Sequence, residues 1–328
     1  MALADALLQH LGARFASPGL ETQYRRFRAS GYFLKGDGLR AGVQCAILAT
    51  GWLRRLHREG ATLGTVAAFS VLIGPVVQIL MKWSAERRGG GPATLEAHVR
   101  HRLAFACLWR VAVMPAMGAI CFVDYFKPPG AGARGGQVAM YILFDTGTVA
   151  LFMNCVTYPL LLEHHLCLQP LATAMMALWC GWPFCRQAAN TPDGSETVLS
   201  AWRSLDAASC GLLSAVLMGD VTGALEPPAL PACRQVVLSA YAAMCLGAAT
   251  YILWAMERRS RVEFLDVRMR EGLGGGEREW APVGSEVVFH GVLAAVGAAL
   301  AWRGLGAALW DPGPAADSGC GAHERGGM

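Results

Sequence analysis

The sequence predicts an all-α fold, a polytopic bundle of transmembrane helices, and three observations carry that expectation. Of 328 residues, 54% are hydrophobic and only 16% charged, against about 25% charged in ordinary soluble domains. The mean hydropathy is +0.36; a water-soluble chain this apolar would expose large aggregating patches, whereas hydrocarbon is a matching solvent. The apolar residues also fall into stretches of about 20, the length that crosses roughly 30 Å of hydrocarbon at about 1.5 Å per residue.

Taken in order, the clear stretches are Ala61 to Met81, Leu103 to Val123, Val138 to Leu162, Leu166 to Phe184, Val236 to Met256 and Glu286 to Trp302. Two more are marginal. Leu39 to Leu53 is short and holds Gln44, and Val198 to Gly219 carries Arg203 and Asp206. Basic loops tend to stay cytoplasmic. With all eight segments crossing, basic residues divide evenly; dropping Val198 to Gly219 gives about 17 inside against about 10 outside, and dropping Leu39 to Leu53 instead gives about 18 against about 8. The first is favoured because it also places the basic connection from Lys82 to Arg102 inside. The expectation is therefore about seven spans, eight if both marginal segments cross, with a cytoplasmic amino terminus, a cytoplasmic loop from Glu257 to Pro282 and an external carboxyl tail.

The chain divides accordingly into a cytoplasmic amino-terminal segment (1–38), the bundle (39–302) and a tail (303–328) too rich in Gly, Ala, Pro and Asp to fold. Leu3, Leu7 and Leu11 recur at one-turn spacing, which reads first as a partly ordered cytoplasmic helix and second as a short helix lying at the interface, rather than as a cleaved leader. The series Phe15-Ala-Ser-Pro-Gly-Leu-Glu-Thr-Gln-Tyr24, followed by Arg25, Arg26 and Arg28, resembles the lead-in to the first span of uncharacterised multi-pass proteins of green algae. It is also similar to what precedes six-span modules attached to nucleotide cyclases, although no cyclase domain follows it here. The resemblance covers Phe15 to Arg28 and implies no activity.

Charge and composition exclude several function classes. A net charge of +4, with Lys35, Lys82 and Lys127 the only lysines, leaves no basic patch for nucleic acid. No span contains a lysine for a retinal Schiff base, and no P-loop, potassium filter, Ser-His-Asp set or inverted repeat of broken helices is present. Most of the eleven cysteines fall inside candidate helices, where they serve as small apolar residues; Cys185, Cys233 and Cys320 are loop-side, and a Cys185–Cys233 disulfide is open in the seven-span arrangement. Without a CxxC pair there is no zinc or thioredoxin-type site, so neither metal nor cofactor is expected.

Candidate site residues are polar groups inside spans, because a charge at the bilayer centre costs at least about 2.5–3.5 kcal/mol. Arg110 and Asp145 lie on neighbouring helices at depths differing by roughly 9 Å, and Asn154 is nearer the depth of Arg110. These three, with Gln78 as a fourth, form an expected polar cluster, read first as interhelical hydrogen bonding. Second-tier candidates are Arg203 and Asp206, paired at i, i+3, and Glu163-His164-His165 at a helix junction. Glu96, His98 and His101 read as a solvated basic face. The loop from Glu257 is charged but balanced and reads as a solvated extension or a docking site for a cytoplasmic partner. No residue is assigned as catalytic. The expectations for function, in order, are a membrane-embedded sensor or interaction module that oligomerises, a transporter or channel for a small polar solute or proton, and an intramembrane enzyme acting on lipid through His164 or His165.

Overall fold

The computed structural model describes residues 14–15, 17–89, 91–121, 127–129, 135–221, 223–271 and 284–310, and every regular element among them is helical. The helices, in chain order, are α1 (18–59), α2 (63–87), α3 (92–121), α4 (Gly135–Asp145), α5 (Thr148–Thr157), α6 (162–190), α7 (Pro192–Leu217), α8 (229–270) and α9 (Gly284–Leu309). Three are long and apolar enough to cross a bilayer, namely Ala93–Ala119, Ala229–Arg270 and His290–Leu309, and four if α4 and α5 together make one crossing. The segment before residue 14 and the tail beyond 310 lie outside the described residues, so the interfacial helix and disordered tail expected there do too. The last helix runs on past Trp302 to Leu309.

The apolar stretch from Val138 to Leu162 does not form one continuous helix. The chain breaks between α4 and α5, which meet at 72°. Gly147 makes the break, with φ at +73°, a left-handed conformation that glycine adopts without a Cβ clash. The carbonyl of Thr146 accepts a hydrogen bond from the Tyr241 hydroxyl at 2.5 Å, and the Thr146 hydroxyl donates to Ile142 at 2.7 Å. A bend inside a bundle persists only where neighbours satisfy the backbone groups it frees.

Helices α6 and α8 run antiparallel along most of their length. The Leu162 amide meets the Glu257 carboxylate at 2.8 Å, His165 meets Thr250 at 3.1 Å, and Cys185 is joined to Cys233 by a disulfide. Both cysteines lie within helices rather than loops. The main core gathers around this pair, with Met176, Cys180, Phe184, Val237, Tyr241 and Cys245 all buried. Close packing also fixes α2 against α3: a Cβ on Gly74 would stand 2.2 Å from the Trp109 ring.

Marginal segment Val198 to Gly219 forms α7, whose buried stripe includes Val198, Trp202, Asp206, Ser209 and Leu213. It packs on α4, the end of α6, the start of α8 and α9, so its partners cluster at the disulfide end of the bundle. The opposite end is rich in arginine. There α1 begins beside the far end of α8, and Phe15, Tyr24, Phe264 and Leu265 make a small aromatic core. The solvated loop expected from Glu257 is thereby corrected: α8 continues to Arg270, and Glu257 and Arg261 are buried under the amino-terminal part of α1. Residues 272–283 of that loop lie outside the described residues.

Candidate functional site

Four arginines, Arg28, Arg102, Arg110 and Arg261, have fully buried side chains. A buried guanidinium is tolerated only when hydrogen-bonded and, as a rule, charge-paired. Three of them meet carboxylates. Arg102 donates to both oxygens of Asp37, at 2.7 and 3.0 Å. Arg261 donates to Glu21 at 2.8 Å and to Glu257 at 3.1 Å, and Arg28 approaches Glu257 at 3.3 Å.

Arg110 is the exception. Its Nε donates to Asn154 Oδ1 at 2.9 Å, and one terminal nitrogen donates to the carbonyls of Asn154 at 3.3 Å and Tyr158 at 2.5 Å. All of these acceptors are neutral. The local chain explains the arrangement. Arg110 sits in a π-helical turn, Trp109–Val113, whose extra residue re-aims side chains and often marks a functional position. Its acceptors lie at the end of α5, where the dipole is negative; the Asn154 carbonyl also takes the Tyr158 amide at 2.9 Å. Pro159 has no amide hydrogen to continue the helix, and Arg102 takes the Pro159 carbonyl at 2.5 Å. Two guanidiniums thus cap one helix.

Helix α6 presents His165, Gln169 and Thr173 at i, i+4 and i+8, on one face, and all three are buried. Cys155, beside Asn154, donates its thiol hydrogen to Gln169 Oε1 at 3.0 Å. Among the described residues, the second terminal nitrogen of Arg110, Asn154 Nδ2, Gln169 Nε2, His165 Nδ1 and the Thr173 hydroxyl have no hydrogen-bond partner. Each buried polar atom left so costs about 1–3 kcal/mol. The first three are donors only, and the first belongs to the Arg110 guanidinium itself.

Of the other expected cluster members, Asp145 is buried at the end of α4 but is not one of the acceptors of Arg110. Gln78 is 1% exposed, one turn beyond Gly74, and neither amide atom has a partner; the indole nitrogen of Trp109 beside it is also unpaired. The expected Arg203–Asp206 pair is corrected. Arg203 is exposed and bonds Glu226 at 2.7 Å and Glu196 at 3.1 Å. Asp206 is buried and accepts from Trp302 Nε1 and the Ala224 amide, each at 3.1 Å. At i, i+3 the two residues share a turn, but the stripe that packs on α9 takes only Asp206.

His164 is half-buried beside Glu163, whereas His165 is fully enclosed against Thr250. His98 is 5% exposed and not solvated as expected; its Nε2 lies 3.8 Å from Asp37. Among the described residues no three His, Cys, Asp or Glu side chains converge as a metal site would require. Sequence reasoning missed Glu21, Arg28, Asp37, Arg102, Gln169 and Arg261. Asp37 and Arg102 stand one or two residues outside the apolar stretches, which made them look solvated. The signal that could have found them is the presence of both signs at matching distances from neighbouring span ends.

At the arginine-rich end, burial alone would raise the Glu21 carboxyl. Hydrogen bonds and charge from Arg261, with bonds from the Phe15 amide and Arg25, outweigh it and hold the carboxyl below its ordinary range. No known protein family, curated protein or solved structure matches the chain.

Proposed function

We propose that the chain is a seven-span integral membrane protein that binds a small anionic solute at Arg110 and passes it across the bilayer. The observation that carries this reading is a fully buried guanidinium that, among the described residues, has only neutral acceptors and one unpaired nitrogen, with further unpaired donors on Asn154 of α5 and Gln169 of α6. A small anion supplies the missing acceptors and the missing charge together. The break between α4 and α5 supports it, since interrupted helices at bundle depth belong to cavity-lining positions.

Several features support the membrane setting and the count of seven. Large apolar side chains face outward on α1, α2 and α9, among them Leu39, Leu53, Val66, Ile73, Val292 and Leu300. Helix α7 packs on parts of its neighbours that lie at one end of the bundle, as a helix lying across that end would. The disulfide lies at the end away from the buried arginines, which matches an oxidising outside and an arginine-rich cytoplasmic side. A sensor or interaction module is the second reading, favoured by the buried tie of Glu21 and Glu257 to Arg261, which couples the start of α1 to α8.

The test is anion flux in proteoliposomes, with chloride and nitrate as probes and a voltage-sensitive dye as readout. Wild type is expected to conduct, and Gln169→Leu, which leaves the α5 cap intact, to lose about tenfold or more. Absence of flux in wild type, or full flux in a folded Gln169→Leu protein, refutes the proposal. Labelling of single cysteines at Asn190 and Ala229 from the same side as Ala131 gives seven crossings; labelling from opposite sides makes α7 a span and overturns that count.

A further inference from the structure

The arginine-rich end carries a second site, apart from Arg110. A cavity of about 250 Å³ opens between α2 and α3, and its polar wall consists of Ser84, Arg88, Thr94, His98 and His101. It holds no carboxylate. The acids nearby are engaged elsewhere: Asp37 by Arg102 at 2.7 Å, Glu86 by Lys82 at 3.0 Å, and Glu96 by Arg26 at 3.7 Å. The rest of the lining is largely apolar, with Val77, Leu80 and Met81 preceding Ser84 and Arg88 along α2.

These walls follow from helical spacing. Val77, the adjacent Leu80 and Met81, Ser84 and Arg88 lie along one face of α2, each step from Val77 to Met81, Ser84 and Arg88 being three or four residues, so polarity changes from hydrocarbon to cation within three turns. Helix α3 starts here too, at Pro92 with Gly91 before it and no side chain capping its first amides. Such an end favours phosphate oxygens. Just outside, Trp83 is half exposed with Arg87 stacked on its ring at 3.6 Å, the pairing of aromatic and cation found where a helix leaves the bilayer.

We infer that this cavity binds the phosphate group of an anionic phospholipid, with Arg88 and His101 on the phosphate, Ser84 and Thr94 on its oxygens, and Val77, Leu80 and Met81 against the first acyl carbons. The inference rests on the membrane reading above but not on the solute site. Unlike a flat basic surface, the cavity offers a guanidinium, imidazole and hydroxyl groups and apolar side chains together, which is the order of groups along a lipid molecule.

The experiment compares full-length wild type with the double variant Arg88→Gln, His101→Gln in phosphatidylcholine nanodiscs with and without phosphatidic acid, reading thermal stability. Both side chains are exposed, so the variant is expected to fold, and its unshifted melting in pure phosphatidylcholine checks this. Phosphatidic acid is expected to raise the wild-type midpoint, with an apparent affinity about tenfold weaker in the variant. Equal shifts in the two proteins, or none in wild type, overturn the site. A wild-type shift reproduced by inorganic phosphate alone overturns the lipid source in favour of free phosphate. Extraction of the chain from its native membrane by alkaline carbonate would instead overturn the membrane reading itself.

Discussion

Asp37→Asn removes the only carboxylate that Arg102 engages among the described residues, and its cost follows from the geometry. Both side chains are 2% exposed and joined by two hydrogen bonds of 2.7 and 3.0 Å. In the variant Arg102 keeps the Pro159 carbonyl and the rings of Phe33 and Tyr158, each 4.0 Å away, but loses its counter-charge. Breaking a buried pair this way costs about 3–5 kcal/mol, which corresponds to a fall in melting temperature of about 10 °C for a chain of this size. Cys155, Cys180 and Cys245 are completely buried free thiols, so a thiol-reactive dye reports unfolding in detergent. A fall of less than about 2 °C would refute the claim that this pair fixes α1 to α3. The pH dependence has a definite sign. Burial raises the Asp37 carboxyl, but the charge of Arg102, with His98 and the Arg102 hydrogen bonds, outweighs it and lowers the value from an ordinary 3.8. The contribution is therefore fully present above pH 3.8 and is lost as pH falls toward the folded value, so wild type and variant converge only below that point.

Gly74→Leu is expected to cost about 1–3 kcal/mol or more, because its side chain must displace the Trp109 ring that already stands 2.2 Å from an added Cβ; an unchanged melting temperature would show that α2 and α3 are not packed this closely. Replacing Cys185 and Cys233 with serine should cost about 2–4 kcal/mol, read as a fall in melting temperature; an unchanged midpoint would show that the bridge does not stabilise the fold. Glu21→Gln should free the start of α1 from α8 and expose it to protease. Because the folded Glu21 carboxyl lies below its ordinary 4.5, acidification of wild type through and below that value should have the same effect, and release on raising pH would contradict the ion-pair account.

Apolar run length located every helix from α2 to α9 except the break inside 138–162, since hydropathy is blind to a bend. Gly147 was one glycine among many, and only the fold places it between Tyr241 and the ends of two half-helices. Arg110 and Asn154 were legible because a charge inside a long apolar run has few explanations. Asp37 with Arg102, and Glu21 with Arg261, were not, because each lies just beyond a run and its partner is supplied by a distant segment. The charged stretch after Glu257 looked solvated for the same reason: its alternating signs suit water as well as they suit Glu21 and Arg28, and only proximity of the chain's own amino-terminal helix decides.

The remaining question is whether Arg110 serves only as a helix cap, and charge accounting separates the two roles. Its acceptors are two carbonyls and an amide oxygen, all neutral, and Arg102 already covers the neighbouring carbonyl of Pro159. A neutral donor could satisfy the same oxygens without the insertion cost of about 2.5–3.5 kcal/mol that an arginine carries at bilayer depth. A structural cap therefore predicts that Arg110→Gln is neutral or mildly stabilising. A solute site predicts the same tolerance in melting temperature, since the α5 carbonyls still find a donor, but loss of anion flux, because the positive charge is gone. Arg110→Lys should then keep part of the flux while losing the Nε bond to Asn154. Full flux in a folded Arg110→Gln protein would return Arg110 to a capping role.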